Sequence, residues 1–199
     1  NCENNRDERS RYLLVENRKV ENYVDMALYY ARMDAVYKDY MIAESNLQEV
    51  AQQVLLQNKY YLIQSHVKAE VACPDTVYSD KKWIAFILNQ LIQNSVKYGR
   101  SEGTHIQIVT KKTKSGVLLW VKDDGIGIPK EELPRIFEKG FTGTNGRNRE
   151  RSTGMGLYLC RKLCDKLNIE IRAESAEGKG TEIILMFPVS EYLTGYRET

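Results

Sequence analysis

Between Asp80 and Tyr98 the residues Ile84, Ile87, Leu88, Leu91 and Ser95 recur at steps of three and four, the spacing of a helix with one buried face. Such a face is stable only against another layer, and the flanking sequence offers one. Val67 to Ala72 alternates as a strand before a turn at Cys73 and Pro74. His105 to Lys111 and Val117 to Lys122 read as strands joined by a Lys, Thr, Ser and Gly turn that suits a hairpin. Glu170 to Glu174 and Thr181 to Pro188 read as two closing strands. Two further helices are predicted. One covers Leu47 to Gln64, and the other covers Met155 to Leu167 with Leu157, Cys160, Leu163, Cys164 and Leu167 on its apolar side. Asp80 stands as the N-cap of the central helix. Helices gathered against one antiparallel or mixed sheet predict a two-layer α+β domain.

Ahead of this domain, Tyr23, Met26, Tyr30, Met33, Tyr37 and Tyr40 alternate steps of three and four, an a/d seam on a long N-terminal helix. A second stripe of Val20, Val24, Ala27, Leu28 and Ala31 widens the apolar surface as in a helix bundle. The alternative is a helix folded back on its own domain. The expected division is residues 1–43 as helix and 44–199 as the α+β domain.

Charge and cysteine usage narrow the function. The 29 basic and 27 acidic residues leave a net +2, too weak a field for a dedicated nucleic-acid binder, and no recognition-helix motif is present. The longest apolar runs, Val117 to Val121 and Ile183 to Phe187, are strand-sized and far short of a bilayer span. The 4 cysteines suit core packing in a reducing cytoplasm better than a disulfide framework, and His66 and His105 are not near a cysteine in sequence. The chain opens on Asn1 without a signal-like segment, so a piece of a longer protein is expected.

Four short stretches carry chemistry. On the central helix, Gln90, Asn94 and Lys97 share a narrow polar arc beside the apolar stripe. An amide oxygen can ligate a hard cation and a lysine one turn on can meet phosphate, which suits a magnesium-bound polyphosphate, although a solvated helix face carries the same residues. Asp123 ends a strand just before Asp124, Gly125, Ile126, Gly127, Ile128 and Pro129, a carboxylate acceptor beside a lean backbone. Gly154, Met155, Gly156 and Leu157 open a helix, where backbone N–H groups and the helix dipole favour phosphate. Before them the loop FTGTNGRNRERST carries Arg147, Arg149 and Arg151, the composition of a lid or of a plain surface loop. Gly178, Lys179, Gly180 and Thr181 form a turn before the last strand, and the missing Ser or Thr after Gly178-Lys179 excludes a P-loop.

In this order the stretches resemble the boxes of the sensor histidine kinases and of the superfamily that joins them to gyrase, a heat-shock chaperone and a mismatch-repair ATPase. NQLIQNSVKYG looks like the asparagine box, DDGIGIP the first glycine box, RIFEKGFTG the phenylalanine box, STGMGLYL the second glycine box and GKGT the third, over roughly residues 20 to 189. The resemblance implies a Bergerat-type ATP-binding fold, a mixed sheet with helices on one face. It implies ATP and Mg²⁺ as ligands, with Asn94 on the metal, Lys97 on phosphate and Tyr98 beside the nucleotide. Asp123 would accept the adenine amino group, with Gly125 and Gly127 shaping its pocket. Gly154 and Gly156 would line the phosphates, and Phe137 and Phe141 would anchor the lid. The same boxes put Ile128, Met155, Leu157 and Thr181 among the nucleotide-lining residues. The N-terminal helix looks like the second helix of a dimerisation and phosphotransfer hairpin, and its sequence resembles the short-sensor kinases that answer antimicrobial peptides.

Two departures stand out. Gln90 replaces the first asparagine of the box, so metal binding rests more on Asn94 while Gln90 stays a candidate. Neither His66 nor His105 has the sequence context of a phosphoacceptor, so that histidine is expected upstream. The implied activity is transfer of the γ-phosphoryl of Mg-ATP to that upstream histidine and then to an aspartate of a response regulator, in a homodimeric protein of the bacterial cytoplasmic membrane whose present part is cytoplasmic. The rivals are an ATP-driven conformational machine, a nucleotide-free scaffold and an anti-sigma serine kinase. The first would want a glutamate at the Gln90 position to activate water.

Overall fold

The computed structural model describes residues 13, 16–17, 20–21, 24, 26–30, 40–144 and 153–189. Tyr23, Met33 and Tyr37 of the seam, Ala31 of the second stripe, and Arg147, Arg149 and Arg151 lie outside the described residues.

The domain runs β1 (Ala43–Asn46), α1 (Leu47–Gln57), α2 (Lys59–Gln64), β2 (Val67–Ala72), β3 (Thr76–Ser79), α3 (Lys81–Lys97), β4 (Thr104–Thr113), β5 (Gly116–Asp123), a 3-10 turn (Leu133–Arg135), α4 (Gly156–Lys166), β6 (Glu170–Ala176) and β7 (Gly180–Pro188). Five strands form one sheet in the order β2-β4-β5-β7-β6. β2 pairs parallel with β4, which requires a crossover, and β3 and α3 supply it. The remaining pairs are antiparallel, so the sheet is mixed as expected.

Side-chain alternation explains the two layers. Along β5, Val117, Leu119 and Val121 are buried, and along β7 Ile183, Leu185 and Phe187 join them in the core. α3 closes this face with Ile84, Ile87, Leu88 and Ile92, all 0% exposed, each contributing roughly 1.5–3 kcal/mol of burial. α1 adds Leu47, Val50, Ala51 and Val54, and α4 adds Leu159, Cys160, Leu163 and Cys164. Burial holds the Cys73 and Cys164 thiols up at about 12 and pushes Cys160 well above its usual range, as suits packing residues.

Two local features differ from the sequence reading. The helix expected from Leu47 to Gln64 is broken at Asn58, whose side-chain NH₂ donates to Val54 O and to Asn89 Oδ1, each at 2.8 Å. This amide ties the break to α3. A second, two-stranded antiparallel sheet joins β1 to β3, with Ala43 opposite Ser79 and Asn46 opposite Thr76. It leads directly into the caps of α1 and α3. Asn46 accepts from Glu49 N at 3.0 Å, and Asp80 accepts from Lys82 N at 2.9 Å and Met41 N at 2.9 Å.

The described residues between 13 and 30 are helical. Met26 and Tyr40 of the seam pack against the core cluster, as does Tyr29, whose ring meets Trp83 at 4.6 Å and Phe86 at 4.4 Å between centroids. On the other side Val20, Val24 and Leu28 are exposed. No helix among the described residues is long and apolar enough to cross a membrane.

Candidate functional site

The inward series of β5 does not end in a hydrophobe. After Val117, Leu119 and Val121 the next inward position is Asp123, so strand alternation directs a carboxylate at the end of α3. Its Oδ1 accepts from Gly125 N at 3.0 Å and Thr181 N at 3.2 Å, and its Oδ2 accepts from Ser95 Oγ at 2.8 Å. Burial raises the Asp123 pKa above its ordinary 3.8, with Asp124 adding to the rise while the bonds from Ser95, Gly125 and Thr181 oppose it. Thr181 stands opposite Asp123 across the ladder, and the turn that delivers it depends on Gly180. Gly180 has φ +87°, and a Cβ there would stand 1.9 Å from the Asp123 carbonyl oxygen.

Asp123 and Asn94 line the same cavity, of about 110 Å³. One ordered water needs about 10–15 Å³ of such space, so the hollow has room for much more than a single solvent molecule. One wall is α3, through Leu91, Asn94, Ser95 and Tyr98. The sheet floor is Val121, Asp123, Thr181 and Ile183. Gly127, Ile128 and Pro129 form the rim, and Phe141 and Leu157 close the far side. The rim is laced to its neighbours: Ile126 N donates to Tyr98 O at 3.0 Å, and Gly178 N donates to Ile126 O at 2.7 Å. A mostly apolar hollow with the half-buried Asp123 carboxylate on its floor, Glu132 at its edge and the Asn94 amide on its wall can orient a polar ligand edge.

Of the residues singled out from the sequence, the cavity brings together Asn94, Tyr98, Asp123, Gly127, Ile128, Phe141, Leu157 and Thr181. The others surround it. Gly125 buttresses Asp123 through its N–H. Lys97 stands in the last turn of α3 with Nζ 5.8 Å from the Tyr98 ring. Phe137 packs against the core beneath the Arg161 guanidinium, 5.5 Å from its ring. Gln90 is 6% exposed and lies under the start of α4, where a Cβ on Gly156 would come within 2.9 Å of its Oε1. Met155 is the N-cap residue of α4, makes no side-chain capping bond, and donates its own N–H to Thr153 Oγ1 at 3.3 Å. Gly154 closes the base of the preceding loop: its carbonyl accepts from Gly140 N at 3.0 Å, and a Cβ on it would fall 2.4 Å from the Gly140 carbonyl carbon.

Sequence reasoning passed over two polar members. Ser95 was assigned to the buried stripe, and only the register of α3 over β5 shows its hydroxyl meeting Asp123. Glu132 lines the cavity, and its Oε1 accepts from both Thr144 N and Thr144 Oγ1 at 2.7 Å. Among the described residues no group of three His, Cys, Asp or Glu side chains could hold a metal.

Comparison with known proteins agrees with this architecture. Residues 79–191 match the family described as histidine kinase-, DNA gyrase B-, and HSP90-like ATPase. The chain is 34% identical over 86% of its length to the sensor histidine kinase YxdK of Bacillus subtilis, covering 54% of that protein. It is 36% identical over 92% of its length to the sensor protein kinase GraS of Staphylococcus aureus, covering 53% of it. The chain thus spans about half the length of the curated relatives it matches. A solved structure of histidine kinase ThkA in complex with response regulator protein TrrA superposes with a TM-score of 0.65 at 24% identity, over 88% of this chain and 48% of that one. Since the matched stretch contains α3, β5, α4 and β7, the elements that enclose Asp123 and Asn94, the chain belongs to the histidine kinase-, DNA gyrase B- and HSP90-like ATPases.

Proposed function

We propose that this chain binds Mg-ATP in the cavity between α3, β5 and α4, and that in the complete protein it transfers the γ-phosphoryl group to an upstream histidine for relay to a response-regulator aspartate. The observation that carries the reading is that Asp123 and Asn94, on different elements, line one cavity. Asp123 reads the adenine amino group, because a carboxylate only accepts and an exocyclic amine only donates. Gly125, Gly127, Ile128 and Thr181 shape that end, and Tyr98 and Leu157 flank the nucleotide. The phosphates lie toward the start of α4, where Gly154 and Gly156 present backbone N–H groups beside Met155, whose own N–H donates to Thr153 Oγ1 at 3.3 Å, with Lys97 as their counter-charge. Phe137 and Phe141 hold the lid base.

The donor set fits magnesium carried in by the nucleotide. Mg²⁺ usually keeps several waters and takes few protein ligands beside substrate phosphates, and one cavity-lining amide, Asn94, matches that habit. Gln90 remains a candidate from its place one turn earlier, though its burial leaves Asn94 as the amide open to the cavity. Bound there, the metal supplies charge neutralisation on the phosphates. The protein contributes positioning: adenine fixed at Asp123 and phosphates at α4 aim the terminal phosphorus outward, the arrangement phosphoryl transfer requires. The bond from the γ-phosphorus to the bridging oxygen breaks as the phosphorus–nitrogen bond to histidine forms, and ADP leaves.

The whole-protein part of this reading rests on the relatives, named as sensor kinases, and on the ThkA complex with its response regulator. The residues at 1–43 are proposed as the second helix of a dimerising hairpin and 44–199 as the catalytic domain. A cytoplasmic place in a membrane-anchored homodimer is part of the same proposal. The test has two arms. Titration with a ribose-labelled fluorescent ATP analogue should show saturable binding that tightens with magnesium and weakens in Asn94→Ala. Incubating the full-length protein with γ-labelled ATP should then yield an acid-labile phosphohistidine. Absence of nucleotide binding would leave a dimeric scaffold as the better reading.

A further inference from the structure

We propose that Ser95 is a positioning residue for base selection: by donating its hydroxyl hydrogen to Asp123 Oδ2 it leaves that oxygen one outward-facing acceptor site, which admits an amino group. This rests on the nucleotide reading above and adds to it the residue that orients the base-reading carboxylate.

The case is a count of acceptor sites. An ionised carboxylate has about four, two on each oxygen. Oδ1 spends both on backbone, Gly125 N at 3.0 Å and Thr181 N at 3.2 Å. Oδ2 takes Ser95 Oγ at 2.8 Å, and the one remaining site belongs to a side chain that lines the cavity. A serine inside a helix ordinarily returns its hydroxyl hydrogen to the carbonyl four residues back. Ser95 instead sends it across to the sheet, and at 4% exposure the residue is largely shielded from solvent. The terminal torsion of an aspartate is broad, so bonds at one oxygen alone fix the carboxylate plane poorly. Ser95 holds the second oxygen by donating to it, and the ionised Oδ2 so oriented offers the cavity an acceptor only. A base edge that presents N–H at this point is taken, and one that presents a carbonyl is repelled.

The experiment uses the 199-residue chain and displaces a ribose-labelled fluorescent ATP analogue with two competitors, ATP and purine riboside 5′-triphosphate, which has hydrogen in place of the amino group. The ratio of the two affinities reads the amino contact alone, whereas general damage to the fold moves both together. The expected result is that Ser95→Ala narrows the preference for ATP by roughly tenfold, through weaker ATP binding with the amine-free nucleotide unchanged. Ser95→Cys, a poorer donor of nearly the same size, should fall between. An equal loss for both nucleotides, or an unchanged preference, overturns the proposal. Asp123→Asn separates the two levels of inference. If it erases the preference while Ser95→Ala does not, only the role of Ser95 falls; if it too keeps the preference, Asp123 is not the base reader and the role of Ser95 falls with it; if the wild-type chain binds neither nucleotide, the nucleotide reading itself falls.

Discussion

Replacing Asp123 by Asn changes one atom, and the hydrogen bonds around it dictate how the new side chain must sit. Two backbone N–H groups, from Gly125 and Thr181, converge on Oδ1, so the asparagine carbonyl oxygen has to occupy that place. Its NH₂ is then forced into the Oδ2 position, facing Ser95 and the cavity. Ser95 can reverse and accept, because a hydroxyl both donates and accepts. The ligand's amino group cannot. A bond to a charged acceptor contributes about 1.5–3 kcal/mol, and a donor now meets a donor, so a loss of about 3 kcal/mol, roughly 100-fold in affinity, is expected. Stability should respond differently. Burial raises the carboxyl pKa in the folded state, so the ionised form is disfavoured there and a neutral amide relieves that cost. Calorimetric titration with Mg-ATP beside urea unfolding measures both quantities. Nucleotide affinity should collapse while the unfolding midpoint holds or rises; a variant that binds as well as wild type, or that unfolds in proportion to its lost binding, would refute this account of the site.

Three further outcomes follow from the same geometry. Because the folded state holds a proton on Asp123 more tightly than the unfolded chain, its contribution to stability is present in acid and is lost as pH rises through the raised value, whereas nucleotide affinity falls as pH drops through it; Asp123→Asn should flatten both profiles when urea midpoints and dissociation constants are followed across the acidic range. Glu132 holds Thr144 by two bonds at 2.7 Å, so Glu132→Ala should speed nucleotide release several-fold with little effect on folding, Glu132→Gln should retain much of the wild-type rate, and a cycle with Thr144→Ala should show coupling of no more than about 1 kcal/mol, since the pair is exposed. Stopped-flow displacement of the fluorescent analogue reads those rates, and additive effects would show that the Glu132–Thr144 contact does not govern release. Gly180→Ala forces a Cβ to 1.9 Å from backbone at a positive φ, so a loss of about 3 kcal/mol or more in denaturant stability is expected, with the Asp123–Thr181 contact disturbed as well.

What the sequence disclosed and what it withheld follow from the range of the interactions involved. α3 was legible because its cap, its three-and-four spacing and its polar arc are local patterns. The order of the main-sheet strands required pairing between distant segments, although the local pattern marks all five of them. The β1–β3 pair was missed because AESN and TVYS are short and carry little alternation, so only their pairing defines them. The break at Asn58 has the same origin, since its amide answers to Asn89 on another helix. Within the site, Asp123 announced itself as a charge closing an apolar strand. Ser95 did not, because a serine on a buried helical stripe is unremarked until the facing strand brings an aspartate against it. Gln90 shows the reverse: its spacing matched a ligand, and the packing of α4 buries it beside Gly156.

The bond from Gly140 N to Gly154 O has an engineering consequence. Both partners are glycines at positive φ, +76° and +63°, so the clasp is drawn by main chain alone: an engineer can exchange neighbouring side chains without cutting it, whereas a Cβ on Gly154 would press on the backbone of Gly140.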